Sequence, residues 1–128
     1  MLRHLAYVIL FVEDFERAVA FYTEVLGMPV RHRADGYVEL GVEGPKFALL
    51  ARWRLPALVG TSESGSPPPG THEGEVAFIV EDVDAMHARL RSKGVVFVCP
   101  PEDRPYGQRT AYFRDPDGHL IELATNLH

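Results

Sequence analysis

Tyr7-Val8-Ile9-Leu10-Phe11-Val12-Glu13-Asp14 returns 68 residues later as Glu75-Val76-Ala77-Phe78-Ile79-Val80-Glu81-Asp82, and a shared Val-Glu-Asp closes both copies. Each run is mainly β-branched, aromatic or aliphatic and has the length of a buried strand. A helical pattern then starts at each acidic pair. In the first, Phe15, Val19, Tyr22 and Leu26 recur at helical spacing, with Asp14 placed to cap and Gly27 to stop the helix. In the second, Val83, Met86, His87 and Leu90 form a similar stripe between Asp82 and Gly94. Stripes of this kind are packing faces, not cofactor motifs. A self-similar period decides an architecture before local propensities do.

Three shorter strand-like stretches follow each helix: 29–33, 36–41 and 46–52 in the first half, and 95–99, 109–113 and 120–125 in the second. Residues 36–51 overlay 108–123 without a gap at a shift of 72, which sets Glu43-Gly44-Pro45 against Asp115-Pro116-Asp117. The pattern predicts an α+β fold: a single domain over 1–128 made of two βαβββ half-repeats, about 4–55 and 72–125. Between them, 56–71 contains Pro67-Pro68-Pro69 with several Ser and Gly, and reads as an extended linker. It joins repeats, because a half of roughly 50 residues would be marginal alone.

Bulk properties narrow the function. At 46% hydrophobic and 24% charged residues the chain has the balance of a packed globule. A net charge of −5 argues against nucleic acid, which asks for clustered Lys and Arg, and leaves room for a neutral or cationic ligand. Cys99 is the single cysteine, so an intrachain disulfide and a thiolate metal cluster are excluded within one chain, and a reducing cytoplasm is expected. Arg3, His4, Glu13 and Asp14 interrupt the apolar N-terminal stretch before it reaches membrane-spanning length, so neither a membrane segment nor a targeting segment is expected.

One residue stands out in the last strand. Ile121 and Leu123 have one parity and Glu122 the other, so the carboxylate faces away from the apolar side. A carboxylate among core strands asks for a partner. Just before it, Asp115-Pro116-Asp117-Gly118 makes a tight turn, with Pro116 fixing φ and Gly118 taking a conformation that other residues resist.

The two βαβββ units, closed by Arg114-Asp115-Pro116-Asp117-Gly118-His119-Leu120-Ile121-Glu122-Leu123, resemble the vicinal oxygen chelate superfamily of glyoxalases, bleomycin-resistance proteins and extradiol dioxygenases. The resemblance spans about 2–125. It implies a curved mixed sheet around a ligand cavity, a small-molecule ligand and a homodimer. It also implies four metal-ligand positions, which fall on Tyr7, Leu50, Glu75 and Glu122. The family favours His and Glu there. Only Glu122 matches; Glu75 offers an oxygen, and Leu50 cannot bind. Two carboxylates without imidazole suit at most a harder cation held weakly, so no cofactor is expected, with a divalent metal on Glu75 and Glu122 as the alternative.

Other candidates are weighed against this set. His4 and His72 each stand three residues before a ligand position, and an odd offset turns a strand residue to the opposite face unless a bulge intervenes. His32, His87, His119 and His128 read as structural or solvated. Tyr112-x-x-Asp115-Pro116-x-Gly118-x-x-x-Glu122 resembles part of the extradiol-dioxygenase signature, but Asp103, Arg104 and Pro105 stand where its upstream histidine would be. Tyr112 is therefore either a core tyrosine or a ligand contact. The segment 105–109 resembles the loop that rims the family's cavity. It offers Gln108 to a ligand, and Arg109 either to Glu75 or Glu122 or to solvent. Phe47, Arg52 and Trp53 are candidates for the other side.

Three functions follow from the resemblance. The first is a metal-independent binding protein of the bleomycin-resistance kind, holding an antibiotic or toxic metabolite near Tyr7, Glu75, Tyr112 and Glu122. The second is a divalent-metal lyase, isomerase or dioxygenase. The third is a metal-free enzyme with Glu75 or Glu122 as general base and Tyr7 as donor.

Overall fold

The computed structural model describes residues 1–60 and 74–127. The chain divides into two compact units, with the boundary between Pro69 and Gly70, and each unit is built as one βαβββ repeat. Pro67-Pro68-Pro69, His72 and His128 lie outside the described residues.

In the first unit β1 (Tyr7–Val12) leads into α1 (Phe15–Ala20) and a π-helical turn (Phe21–Val25). Then come β2 (Val30–Ala34), β3 (Tyr37–Leu40) and β4 (Lys46–Ala51), in the sheet order β1-β4-β3-β2. A 3-10 turn (Arg52–Arg54) and the short helix α2 (Leu55–Val59) follow. The second unit repeats the plan with β5 (Glu75–Ile79), α3 (Val83–Ser92), β6 (Phe97–Asp103), β7 (Gln108–Arg114) and β8 (Leu120–Asn126), in the order β5-β8-β7-β6. In both, the first strand runs parallel to the last, a pairing that requires the intervening crossover helix.

The duplicated Asp does the same job twice. Asp14 Oδ1 accepts the Arg17 N–H and Asp82 Oδ1 the Ala85 N–H, both at 3.1 Å. Such caps contribute about 1 kcal/mol each. The chain leaves the helices at Gly27 (φ 78°) and Gly94 (φ 91°), in the left-handed region where a Cβ is strained. Each helix then packs on one face of its sheet. Tyr22 meets Phe47 edge-on with centroids 5.5 Å apart in the first unit, and in the second Phe97 sits between His87 (4.4 Å) and Phe113 (5.3 Å). His87 is thus a packing residue. Thr125 Oγ1 accepts the Val83 N–H and donates to the Val80 carbonyl, tying the start of α3 to β8.

Several expectations are corrected. Pro56–Val59 is not extended linker but part of α2, since a proline in the first helical turn gives up an N–H that had no partner there. β4 ends at Ala51 because Arg52 opens the 3-10 turn. β6 begins at Phe97, not at 95, and runs on through Pro100 and Pro101 to Asp103. It is an edge strand with irregular register between Cys99 and Glu102, which is where a sheet tolerates proline.

The gapless overlay at a shift of 72 is also displaced. With the caps Asp14 and Asp82 equivalent, Tyr7 corresponds to Glu75; Tyr7 pairs with Lys46 and Glu75 with Leu120, so β4 and β8 correspond at a shift of 74. The counterpart of Glu122 is Ala48, two residues from Leu50 and on the same face. Because Glu39 pairs with Ala48 and Tyr112 with Glu122, Glu39 is the counterpart of Tyr112 at a shift of 73. The β3–β4 hairpin is therefore one residue shorter than the β7–β8 hairpin, and a gapless alignment cannot express that.

Candidate functional site

Strand parity sorts the second unit's sheet into two faces. Ile121, Phe113 and Ala111 are fully buried on the side that carries α3. Glu75, Ala77, Tyr112 and Glu122 alternate with that set, and the pairings Ala77 to Glu122 and Tyr112 to Glu122 bring them together on the other side. Glu122 is only 8% exposed, while Glu75, on the edge strand, is open to solvent.

The two carboxyls share a hydrogen bond. That bond, with burial and the charge of Glu122 adding to it, holds the Glu75 carboxyl up to about 7. Two carboxylates in contact cannot both ionise cheaply, so the pair keeps one proton until pH approaches neutrality. Burial beside the same two charges pushes the Tyr112 phenol up to about 12, and it also hydrogen-bonds Glu122. Tyr112 therefore stays a neutral donor. The Arg104 guanidinium lies 6.0 Å from the Tyr112 ring centroid, donates to Thr110 Oγ1 at 2.8 Å and pairs with Glu102 at 3.0 Å. Among the described residues no lysine or arginine forms an ion pair with Glu75 or Glu122. The arrangement can accept donors from a polar or cationic group, and near neutrality it can take up or release a proton.

The remaining candidates are distributed more widely. Tyr7 stands on the β1 face away from α1, 47% exposed, with Lys46 Nζ 5.4 Å from its ring centroid. Leu50 is buried on that same face. Phe47, three residues from Leu50, has the opposite parity and is buried in the core against Tyr22 rather than on the face that carries Tyr7. Trp53 is exposed in the 3-10 turn beside Gly36, where an added Cβ would come within 2.7 Å of the indole. Arg52 pairs with Glu13 at 3.4 Å. Gln108 Nε2 donates to Asn126 Oδ1 at 2.9 Å.

Of the two expectations for Arg109, pairing with Glu75 or Glu122 is not what the structure has. Its offset from Tyr112 is odd, so it turns to the α3 side. There it grips Asp84 with two nitrogens (2.8 and 2.9 Å) and Asp103 with a third (3.0 Å), and it does not meet Glu75 or Glu122. His119 belongs to the turn: its Nδ1 lies 2.7 Å from Asp115 Oδ2, and Asp115 Oδ1 also accepts the N–H groups of Asp117 and His119.

Sequence reasoning missed Tyr37 and Glu39. The Tyr37 hydroxyl donates to Glu39 Oε2 at 2.7 Å, on the same face of the first sheet as Tyr7. The alternation Tyr37-x-Glu39 within a strand was the available signal.

The donor set does not suit a tight transition-metal centre. Among the described residues no three His, Cys, Asp or Glu side chains come together. Two carboxyls that share a proton, beside a neutral phenol, lack the imidazole nitrogens that such centres use.

Comparison with known proteins gives one family. The profile of the glyoxalase/bleomycin resistance protein/dioxygenase superfamily matches residues 4–123. The uncharacterized protein YraH of Bacillus subtilis is 34% identical over 117 residues, covering 89% of this chain and 91% of its own. Lactoylglutathione lyase GLX1 of Arabidopsis thaliana is 29% identical over 94% of this chain, which spans 44% of that longer protein. A solved glyoxalase/bleomycin resistance protein/dioxygenase from Nocardioides superposes with a TM-score of 0.84 at 27% identity, over 100% of this chain and 86% of its own. No helix among the described residues is long and apolar enough to cross a membrane.

Proposed function

Since the chain belongs to the glyoxalase/bleomycin resistance protein/dioxygenase superfamily, we propose that it binds a small molecule in the manner of the bleomycin-resistance branch, without a metal. Glu75, Glu122 and Tyr112 hold the ligand's polar group. The hydrogen-bonded carboxyl pair, with which no lysine or arginine among the described residues forms an ion pair, carries this reading. A cationic or hydroxyl-rich ligand supplies the missing donors. As it docks, the shared proton leaves, so binding strengthens as pH rises through about 7. Tyr112 remains protonated throughout and donates.

The test is a thermal-shift screen of cationic glycopeptides and other natural products against wild type and Glu122→Gln. A ligand at 100 times its Kd stabilises by about 2.7 kcal/mol. Stabilisation in wild type that disappears in E122Q is the expected result; a panel that stabilises nothing contradicts the reading.

A second reading rests on the resemblance to this superfamily, which implies metal-ligand positions at Glu75 and Glu122. It makes the protein a lyase, isomerase or dioxygenase dependent on a divalent ion, and the relative named lactoylglutathione lyase lends it weight. Elemental analysis of protein purified without chelators separates the two readings: a stoichiometric transition metal favours the second. A third reading, metal-free acid–base catalysis by the carboxyl pair, predicts a turnover that depends on pH and is lost in E122Q.

A further inference from the structure

We propose that the second unit carries a site for a small aryl or branched-chain carboxylate, in the hollow between the end of α3 and the start of the edge strand β6, with Arg91 as its cation and Val95, Phe97 and Pro100 as its apolar walls.

The hollow measures about 480 Å³ and is bounded by His87 and Arg91 of α3, by Val95 and Val96 in the connection, and by Phe97 and Pro100 of β6. Small-molecule sites run from roughly 300 to 1,000 Å³. It lies on the helix side of the sheet, since Phe97 pairs in register with the buried Phe113 and meets the His87 ring edge-on. Glu75, Tyr112 and Glu122 stand on the other face of that sheet. The chain leaves α3 through Gly94, where an added Cβ would meet nothing within 4 Å, and Val96 just beyond is 85% exposed. Apolar side chains therefore border an open space.

Charge selects the ligand. Among the described residues the Arg91 guanidinium has no hydrogen-bond or ion-pair partner, and Arg89 and Lys93 stand two residues to either side of it. The acids of α3's first turn and of β6 are engaged elsewhere: Asp84 and Asp103 by Arg109, and Glu102 by Arg104. The carbonyls that would repel an anion at a helix C-terminus are partly spent, because Leu90 O accepts the Lys93 and Val95 N–H groups and Arg91 O that of Gly94. A local excess of positive charge results, in a chain whose net charge is −5. A planar guanidinium takes a carboxylate through two parallel N–H bonds, and the His87 imidazole brings polar nitrogens to the same hollow. The ring or branched body of the ligand then covers Val95, Phe97 and Pro100. The inference does not depend on the pair formed by Glu75 and Glu122.

The experiment is an NMR titration of the whole, 15N-labelled chain with sodium phenylacetate, with phenylacetamide as the control that lacks the charge and sodium acetate as the control that lacks the body. Phenylacetate is expected to shift the amides of His87, Arg91 and residues 94–97 saturably, and both controls to bind more weakly. Arg91→Gln removes an exposed charge that the fold does not use, and it should weaken phenylacetate roughly tenfold or more. Val96→Asp sets a like charge at the rim and should weaken it as well. The proposal fails if phenylacetate gives no saturable shift, if R91Q or V96D binds it as wild type does, if either control binds equally well, or if shifts are confined to the neighbourhood of Glu75 and Glu122. That last pattern would leave the proposed function standing while removing this site.

Discussion

The helix-side faces of the two repeats are built alike, and the opposite faces are not. In the first unit Val38, Leu49 and Phe47 are buried with Tyr22, whose ring meets that of Phe47, and in the second Ala111, Ile121 and Phe113 are buried, as are Leu90 and Val83 of α3. On the other side, Tyr7, Ala48 and Glu39 stand where Glu75, Glu122 and Tyr112 stand. One parity of each strand holds the fold, and the other is free to change its chemistry. A duplicated unit can thus diverge by exchanging residues on the face away from its helix, even where, as at Ala48 and Glu122, they are buried.

The largest effects should come from breaking the shared parity. Phe113→Ala removes a fully buried ring and should cost about 3–5 kcal/mol in urea unfolding, as should Tyr22→Ala in the other unit. A loss below 1 kcal/mol at either site would mean that the two cores are not equivalent.

The next effect sets the divergent faces against each other through pH. The folded Glu75 carboxyl, at about 7, lies above its unfolded value near ~4.3. Its stabilising contribution is therefore present below about 4 and is lost as pH rises through about 7. Melting temperature should fall between pH 5 and pH 8 in wild type, and this fall should flatten in Glu75→Gln. An unchanged slope in E75Q would remove the shared proton from the account.

Smaller and more symmetrical changes should follow at the caps. Asp14→Ala and Asp82→Ala should each cost about 1 kcal/mol, because the same bond is made at the same length in both repeats. Unequal costs in denaturant titrations would sharpen the comparison by showing that one helix leans more on tertiary packing. Least of all should come from Arg109→Gln. It breaks exposed ion pairs on the α3 side and should leave ligand-induced thermal shifts as in wild type.

Much of this was legible in the sequence for a physical reason. Strand period fixes direction, so Glu122 between Ile121 and Leu123 announced its face, and the duplicated Val-Glu-Asp announced both caps. The same rule, applied to the offset of three between Phe47 and Leu50, or between Arg109 and Tyr112, would have assigned Phe47 to the core and Arg109 to the helix side. Register was not legible: hairpins of unequal length are invisible in composition, yet they move the repeat counterpart of Glu122 from Leu50 to Ala48. Nor did 56–71, dominated by Pro67-Pro68-Pro69, reveal the helix at its edge, although Pro56 was compatible with a first turn.

The most direct test is a carbon-13 titration of the glutamate side-chain carboxyls in wild type and in Glu122→Gln. Glu75 should titrate near 7 in wild type and return to the ordinary carboxylate range once Glu122 can no longer share its proton. A Glu75 that titrates near ~4 in both proteins, as an isolated carboxylate does, would contradict the carboxyl pair on which the account depends.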